Sequence, residues 1–288
     1  MKFEQLVKDI EENQWDVIGL EVYRKGQLLH SYGDTTEQIY DIYSATKSIV
    51  SIAVGICYDR GLIDFEKSIL EYLPKDKVGR MSLEQKNDFQ KLTIYRLLTM
   101  SVEGFPFRPE GDSYLEFCLS YKIENPDNVG FHYSNVCTYL IGVALTEILG
   151  EDLGTFIERQ ILQPLRIKDF IYDRCPDGYF YGASKMKLSV HDLSKFGILM
   201  MNDGVFEGQR IVSPEYVRLA TSVQIMNREG GYGFFFWNYR EGFSVHGKWG
   251  QRVYCLPDKD LMVTHLAHME EQGNELLKSI EKNVLDLK

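Results

Sequence analysis

The chain has 288 residues, of which 44% are hydrophobic and 26% charged, and this composition is typical of a globular protein. Its formal net charge is −10 and it has no Lys/Arg-rich run, which argues against nucleic-acid binding. The longest apolar run, around residues 49–57, is too short to cross a bilayer. We therefore expect a soluble protein that binds neither nucleic acid nor membrane.

The five cysteines are scattered along the chain, and none belongs to the C-x-x-C pair of a zinc or redox motif. Such a set suits free, buried thiols in a reducing compartment. The first residues are acidic and periodic, without the basic and then apolar order of a signal peptide. These features predict a cytoplasmic protein.

The first 60 residues predict a helix, a hairpin and a second, buried helix. Residues 3–13 have an amphipathic helical pattern, and residues 17–24 and 28–32 are rich in strand formers around a turn. Ser44 is a favoured N-cap residue, and it begins an apolar helix that we expect to reach about Asp59.

The rest of the chain predicts a long helical middle followed by strands. Helical patterns occur at residues 93–99, 139–149, 153–161 and 192–202. Strand patterns follow at residues 233–239, 242–245, 252–256 and 261–267, before a closing helix at 270–287. Because strands occur at both ends, we predict one sheet domain from residues 1–63 and 216–288. Residues 64–215 are then an inserted, mainly helical domain of the same compact unit.

Ser44 and Lys47 form an S-x-x-K pair at the start of the predicted buried helix. Residues three apart share a helix face, so the lysine can take the serine proton, and burial lowers the pKa of a lysine. The pattern occurs twice more, at Ser184/Lys187 and Ser279/Lys282. Only Ser44 begins a long apolar helix directly after an extended segment. On this motif alone, a plain N-cap with a solvated lysine stays open.

Tyr133-Ser134-Asn135 is the one Y-x-N sequence in a chain with 18 tyrosines. A tyrosine beside a cationic lysine loses its proton more easily and can act as a general base. Asn135 offers a donor and an acceptor to a substrate amide. Taken alone, the pattern is more typical of a turn with an asparagine cap.

In this order, the two motifs resemble those of the class C β-lactamase and penicillin-binding-protein group, which includes related esterases, D-aminopeptidases and amide hydrolases. Further similar stretches are residues 61–64, 92–100, 192–197 and 211–215. The resemblance covers roughly residues 17–268. It implies a mostly antiparallel sheet built from both chain ends and flanked by terminal helices. An α-helical domain is inserted, and the cleft lies between the two.

The third motif of the family, K-T-G or H-x-G on a strand beside the cleft, is matched only in part. The candidates are His246, Gly247, Lys248 and Trp249, with Lys248 where H-x-G needs a glycine. The G-x-x-G-Q run at 247–251 is more similar to esterases and 6-aminohexanoate-dimer hydrolases than to true β-lactamases. Gly247 would let a backbone N–H approach the substrate, and His246 or Lys248 would bind a carboxylate. The alternative is a hairpin turn with a solvated charge.

The resemblance implies a serine hydrolase that forms an acyl-enzyme on a small ester or amide. Its catalytic residues are Ser44, Lys47 and Tyr133, and its substrate-binding residues are Asn135, His246, Gly247, Lys248 and Trp249. No cofactor or metal is implied, since the H-x-x-H pair at His265 and His268 has no evident third ligand. The alternatives are a β-lactamase or D-amino-acid peptidase, and a catalytically silent ligand-binding or sensor protein of the same fold.

Overall fold

The computed structural model describes residues 1–270 and 273–285. Its helices are α1 (Phe3–Glu12), α2 (Thr46–Asp59), α3 (Lys75–Arg80), α4 (Leu83–Gln90), α5 (Ile94–Leu98), α6 (Tyr114–Ser120), α7 (Asn135–Leu149), α8 (Leu153–Ile157), α9 (Val190–Met201), α10 (Pro214–Thr221) and α11 (Gly273–Ile280). Its strands are β1 (Val17–Arg24), β2 (Gln27–Gly33), β3 (Tyr40–Asp41), β4 (Ile171–Tyr172), β5 (Met186–Leu188), β6 (Val205–Phe206), β7 (Gln209–Arg210), β8 (Trp237–Tyr239), β9 (Gly242–Gly247), β10 (Gln251–Leu256) and β11 (Leu261–Ala267).

The main sheet joins the two ends of the chain. Its strand order is β2-β1-β11-β10-β9-β8, and its paired neighbours run antiparallel. The first strand lies beside the last, with Leu20 opposite His265 and Val22 opposite Val263. This arrangement confirms the predicted fold class, a mostly antiparallel sheet flanked by helices.

The outer face of the sheet is the one covered by the terminal helices. Successive side chains of a strand point to opposite faces, so Leu20, Val22 and Val263 lie on one side. They are buried in one cluster with Leu6 of α1 and Leu276 of α11. The amphipathic pattern of the first residues therefore has a structural reason: α1 packs its apolar side against the apolar outer face of the sheet.

The inner face packs against α9 through a buried carboxylate. Glu21 of β1 is fully buried and accepts hydrogen bonds from the Tyr23 hydroxyl at 2.8 Å and the Ser194 hydroxyl at 2.7 Å. His191 Nδ1 lies 3.1 Å from the same carboxylate. These hydrogen bonds outweigh the desolvation and lower the pKa of Glu21. α9 lies within residues 64–215, so part of the predicted insertion covers the sheet, and the domain boundaries stay a prediction.

The helix that follows Ser44 is the centre of the core. α2 is buried along its length from Thr46 to Cys57, as its apolar pattern predicted. Gly55 allows α10 to approach closely, since a Cβ there would lie 2.4 Å from the ring of Tyr216. None of the helices in the described ranges combines the length and apolar content needed to cross a membrane.

Two predicted elements differ from the observed ones. The strand predicted at 233–239 is reduced to β8, because the backbone N–H groups of Phe234 and Phe235 bond to the carbonyls of Ala220 and Leu98 outside the sheet. The closing helix predicted at 270–287 is α11 followed by a π-helical turn at Glu281–Leu285. Its residues 271, 272, 286 and 287 lie outside the described part of the chain.

Candidate active site

Ser44 lies in a tight turn just before α2. Residues Tyr43–Ala45 form a 3₁₀ turn, and Ala45 is the N-cap of α2 without a side-chain cap bond. The prediction that Ser44 caps the helix is therefore wrong, since the added turn moves its hydroxyl away from the first helical N–H groups. Tyr43 has a left-handed φ of 48°, a conformation that costs a non-glycine residue energy and recurs at functional sites.

Lys47 faces the same hydroxyl from the first turn of α2. Its Nζ atom donates to Ser44 Oγ at 3.0 Å and to the carbonyl of Ala183 at 2.6 Å. Its exposed fraction is only 1%. Burial lowers the pKa of Lys47 from 10.5 to about 7, because the charged form loses its hydration. The amine can therefore be neutral at physiological pH, as a proton acceptor must be.

Tyr133 completes a contact triad with these two residues. Its phenol lies near enough to Ser44 for the serine to oppose the rise in its pKa, and Lys47 Nζ lies 5.1 Å from the centre of its ring. Burial raises the pKa of Tyr133 to about 12, although Ser44 and the charge of Arg252 oppose this effect. The expectation that Tyr133 loses its proton easily is therefore wrong, because desolvation outweighs nearby positive charge. The phenol therefore keeps its proton at neutral pH.

Asn135 lies at the first position of α7, whose N-cap is Ser134. Its exposed fraction is 6%, and its Oδ1 atom has no hydrogen-bond partner among the described residues. Burial raises the pKa of the neighbouring Tyr181 to about 12, and Asn135 opposes this rise only in part. A buried acceptor without a partner is costly, so it is suited to an N–H group of a substrate.

The turn between β9 and β10 packs directly against the segment that carries Ser44. A Cβ at Gly247 would lie 2.2 Å from the carbonyl oxygen of Ile42, so only glycine permits this approach. Trp249, which has a left-handed φ of 62°, contacts the ring of Tyr43 edge-on at 5.2 Å. The structure thus brings the third motif beside the segment that carries the first.

His246 and Lys248 differ in their surroundings from what the sequence indicated. His246 stacks on Trp237 at 5.2 Å, and its Nε2 lies 2.8 Å from the Ser244 hydroxyl. Burial, together with the charge of Arg252, holds the pKa of His246 well below its usual value. The ring is therefore neutral, and the role of His246 in binding a carboxylate stays a prediction. Lys248 is exposed, with Nζ 4.3 Å from the centre of the Trp249 ring.

Two residues of β10 that were not predicted as site residues belong to this region. Gln251 is buried and hydrogen-bonds the turn carbonyl of Lys248 at 2.9 Å. Arg252 influences the pKa of Tyr133. The sequence feature that could have identified Arg252 is a single arginine directly before the apolar residues 253–256. A charged residue inside a half-buried strand is uncommon and therefore indicates a possible binding role.

Comparisons with known proteins identify the family of the chain. A sequence model of the family described as Beta-lactamase matches residues 3–278. Among curated proteins, N-acetylmuramyl-L-alanine amidase of Bacillus subtilis (strain 168) is 22% identical over 157 residues, which is half of this chain. The match spans only 35% of that longer relative.

Solved structures share the fold over almost the whole chain. A protein named as a 6-aminohexanoate-dimer hydrolase from Bacillus anthracis has a TM-score of 0.78 at 17% identity, covering 98% of this chain and 80% of its own. A class C β-lactamase has a TM-score of 0.77 at 14% identity, covering 99% and 95%. An octameric penicillin-binding-protein homologue from Pyrococcus abyssi has a TM-score of 0.74 at 18% identity, covering 100% and 78%. The chain therefore belongs to the β-lactamase family and has its serine-hydrolase fold.

Proposed function

We propose that this protein hydrolyses a small ester or amide through an acyl-enzyme on Ser44. The observation that carries the proposal is the contact of the Ser44 hydroxyl with two proton-handling groups. Lys47 Nζ lies 3.0 Å from Ser44 Oγ, and the Tyr133 phenol lies beside the same serine. A nucleophile within hydrogen-bond reach of a neutral base is the arrangement that activates a serine.

In the first step, Ser44 Oγ transfers its proton to neutral Lys47 and attacks the substrate carbonyl. The resulting oxyanion is stabilised by backbone N–H groups of Ser44 and of the 247–249 segment; one such donor is worth about 10²–10³ in rate. The proton moves from Lys47 through Tyr133 to the leaving group as the carbonyl–heteroatom bond breaks. Asn135 orients the substrate through its free amide oxygen.

In the second step, a water molecule replaces the leaving group. It gives a proton to the Lys47/Tyr133 pair as it attacks the ester carbonyl. The pair then passes that proton to Ser44 Oγ as the bond between Oγ and the acyl carbon breaks and the acid leaves. Ser44 loses its proton in the first step and regains one in the second, so the site returns to its starting state. A group with a pKa near 7 suits both roles at neutral pH.

The rate should depend on the protonation of Lys47. Because burial lowers its pKa to about 7, the amine is protonated and inactive as a base below that pH. We expect kcat/KM for p-nitrophenyl butyrate to rise with pH, with a midpoint near 7 and about a tenfold loss between pH 7 and pH 6 at most. The Ser44→Ala variant corrects for spontaneous hydrolysis. A flat profile between pH 5.5 and 8.5 would contradict the assignment of Lys47 as the base.

Intact-mass spectrometry tests the acyl-enzyme directly. The protein is incubated with a panel of p-nitrophenyl esters and β-lactams, and Ser44→Ala serves as the control. We expect at least one ester to add the mass of its acyl group to the native protein and none to Ser44→Ala. If only β-lactams react, the β-lactamase or peptidase alternative replaces the proposal. A protein that binds these compounds without any adduct or turnover is a silent ligand-binding protein.

The proposed location is the cytoplasm. All five cysteines are buried as free thiols in the structure, which suits a reducing compartment. Fractionation of cells that express the native gene tests this location.

A further inference from the structure

A cavity of about 560 Å³ opens beside the segment that carries the Y-x-N motif. It is lined by Phe131, Met226, Asn227, Arg228, Glu229 and Trp237. Its volume lies within the range of roughly 300–1,000 Å³ that is usual for small-molecule sites. The cavity is therefore large enough to hold one substituent of a small substrate.

Trp237 joins this cavity to the candidate active site. Its ring stacks on that of Tyr133, with 5.7 Å between the ring centres and 26° between the planes. Phe131 contacts the same indole edge-on at 5.8 Å. One aromatic cluster thus extends from the phenol beside the nucleophile to the wall of the cavity.

Met226 brings an exposed apolar side chain to the same cavity. Its exposed fraction is 68%, and Phe131 is only partly buried. Methionine is flexible and polarisable, and its sulfur packs favourably against aromatic rings. Apolar surface that is left exposed next to a site is typical of a surface that a ligand covers.

The polar residues of the cavity favour an uncharged group. Arg228 and Glu229 are both exposed and carry opposite charges, so the lining residues have no net charge. The Oδ1 atom of Asn227 accepts from the backbone N–H of Glu229 at 2.8 Å, and its Nδ2 atom is buried without a hydrogen-bond partner among the described residues. The buried polar atom thus belongs to a neutral amide. An ion would lose hydration here without meeting a net opposite charge.

We propose that this cavity binds an uncharged aromatic ring in the leaving group of the substrate. The inference rests on the proposed function and names its substrate class, small esters or amides of an alcohol or amine that carries an aromatic ring. The leaving group is the occupant because Tyr133, which passes the proton to that group in the proposed mechanism, stacks on Trp237. A flat ring is favoured over an aliphatic group, because aromatic rings interact with one another beyond the area that they bury.

The test compares the butyrate esters of 2-phenylethanol, 2-cyclohexylethanol and ethanol. The ring is separated from the ester oxygen by two carbons, so it changes the reactivity of the ester bond little, and rates of hydrolysis by hydroxide correct for the remainder. We expect kcat/KM of the native protein for the phenylethyl ester to be at least about tenfold above that for the ethyl ester. It should also be at least about twofold above that for the cyclohexylethyl ester. Smaller ratios would overturn the inference.

A charge placed at Met226 tests whether this cavity is the origin of the preference. Met226→Glu should lower the ratio of kcat/KM for the phenylethyl and ethyl esters by about fivefold or more. Leu83→Glu is the matched control, because Leu83 is 81% exposed on α4 and lies outside the cavity lining. It should keep the native ratio. Since both side chains are exposed, neither change should unfold the protein. A native ratio in Met226→Glu would show that the ring binds elsewhere.

Binding to Ser44→Ala separates the cavity from the chemistry, because it needs no turnover. NMR titration should show 2-phenylethyl butyrate binding at least about tenfold more tightly than ethyl butyrate, with most of this difference lost when Met226→Glu is added. If the esters are hydrolysed without a preference for the ring, the proposed function stands and the inference is overturned. If no ester is hydrolysed or labels Ser44 while the phenylethyl ester still binds in a way that depends on Met226, the proposed function fails and the aromatic site stands.

Discussion

Lys47→Met should lower kcat/KM for p-nitrophenyl butyrate by about 10³-fold or more, while the variant protein becomes more stable. The loss of rate follows from the 3.0 Å contact between Lys47 Nζ and Ser44 Oγ, because methionine cannot accept the serine proton. The gain in stability follows from removing an amine that is 1% exposed. An unbranched apolar side chain of similar length can occupy the same space.

The stability effect has a definite pH dependence. The pKa of Lys47 falls from 10.5 in the unfolded chain to about 7 in the folded protein, so burial of its charge opposes folding. This cost is fully present below pH 7 and disappears as the pH rises toward 10.5. We expect Lys47→Met to raise the free energy of unfolding by about 1–3 kcal/mol at pH 6, after the lost bond to the Ala183 carbonyl is subtracted. The difference should shrink by pH 10.

Urea denaturation at pH 6 and pH 10, together with ester kinetics, checks both parts of this prediction. Lys187→Met is the matched control, because Lys187 also ends an S-x-x-K pattern but is partly exposed and paired with Asp41. It should leave kcat/KM unchanged and alter stability by less than about 0.5 kcal/mol. A Lys47→Met protein that is less stable at both pH values would show that the amine is not desolvated in the folded state.

Gln251→Leu should lower kcat/KM by about 10²-fold, the effect of losing one oxyanion donor, because it releases the turn beside the nucleophile. Gln251 Nε2 donates to the carbonyls of Lys248 and Ala267, both at 2.9 Å, and its Oε1 accepts from Ala267 N–H at 2.9 Å. One buried amide thus fixes the turn at 248–250 to β11. Leucine has a similar volume but leaves these backbone groups without partners.

The same substitution should reduce the free energy of unfolding by about 2 kcal/mol, since Ala267 is fully buried and its polar groups lose their partners. Gln251→Glu keeps the acceptor but loses both donors, so we expect an intermediate rate. Gln209→Leu, at an exposed glutamine of β7, should change neither quantity. Kinetics are measured where circular dichroism shows each variant to be folded. Native kcat/KM in Gln251→Leu would mean that the turn does not need this anchor.

Part of the site was predictable because it depends on local geometry. Ser44 and Lys47 are one helical turn apart, so their meeting follows from the helix that the apolar residues 49–57 require. The sheet that unites both chain ends was also predictable, since strand patterns occur only near the ends. The Y-x-N motif identified Tyr133, although its position beside Ser44 was known only by resemblance.

Other features depend on contacts between distant parts of the chain. The pKa of Tyr133 is raised because the folded protein buries the phenol, and no local pattern shows how deep a side chain will lie. Burial keeps His246 neutral, and the charge of Arg252 on the next strand adds to this effect. The register between strands determines which side chains lie next to each other. A shift of one residue would move every side chain of the strand to the opposite face of the sheet.

The order of residues alone predicted one sheet from both chain ends and placed Ser44 and Lys47 one helical turn apart, because helix and strand periodicity and short spacings are properties of neighbouring residues. Only the tertiary structure decided which groups are charged and which backbone groups are held in place. Lys47 is desolvated beside a carbonyl 136 residues away, and Gln251 anchors a turn to a strand 16 residues later. Desolvation and hydrogen bonding act through space, so the folded arrangement sets them.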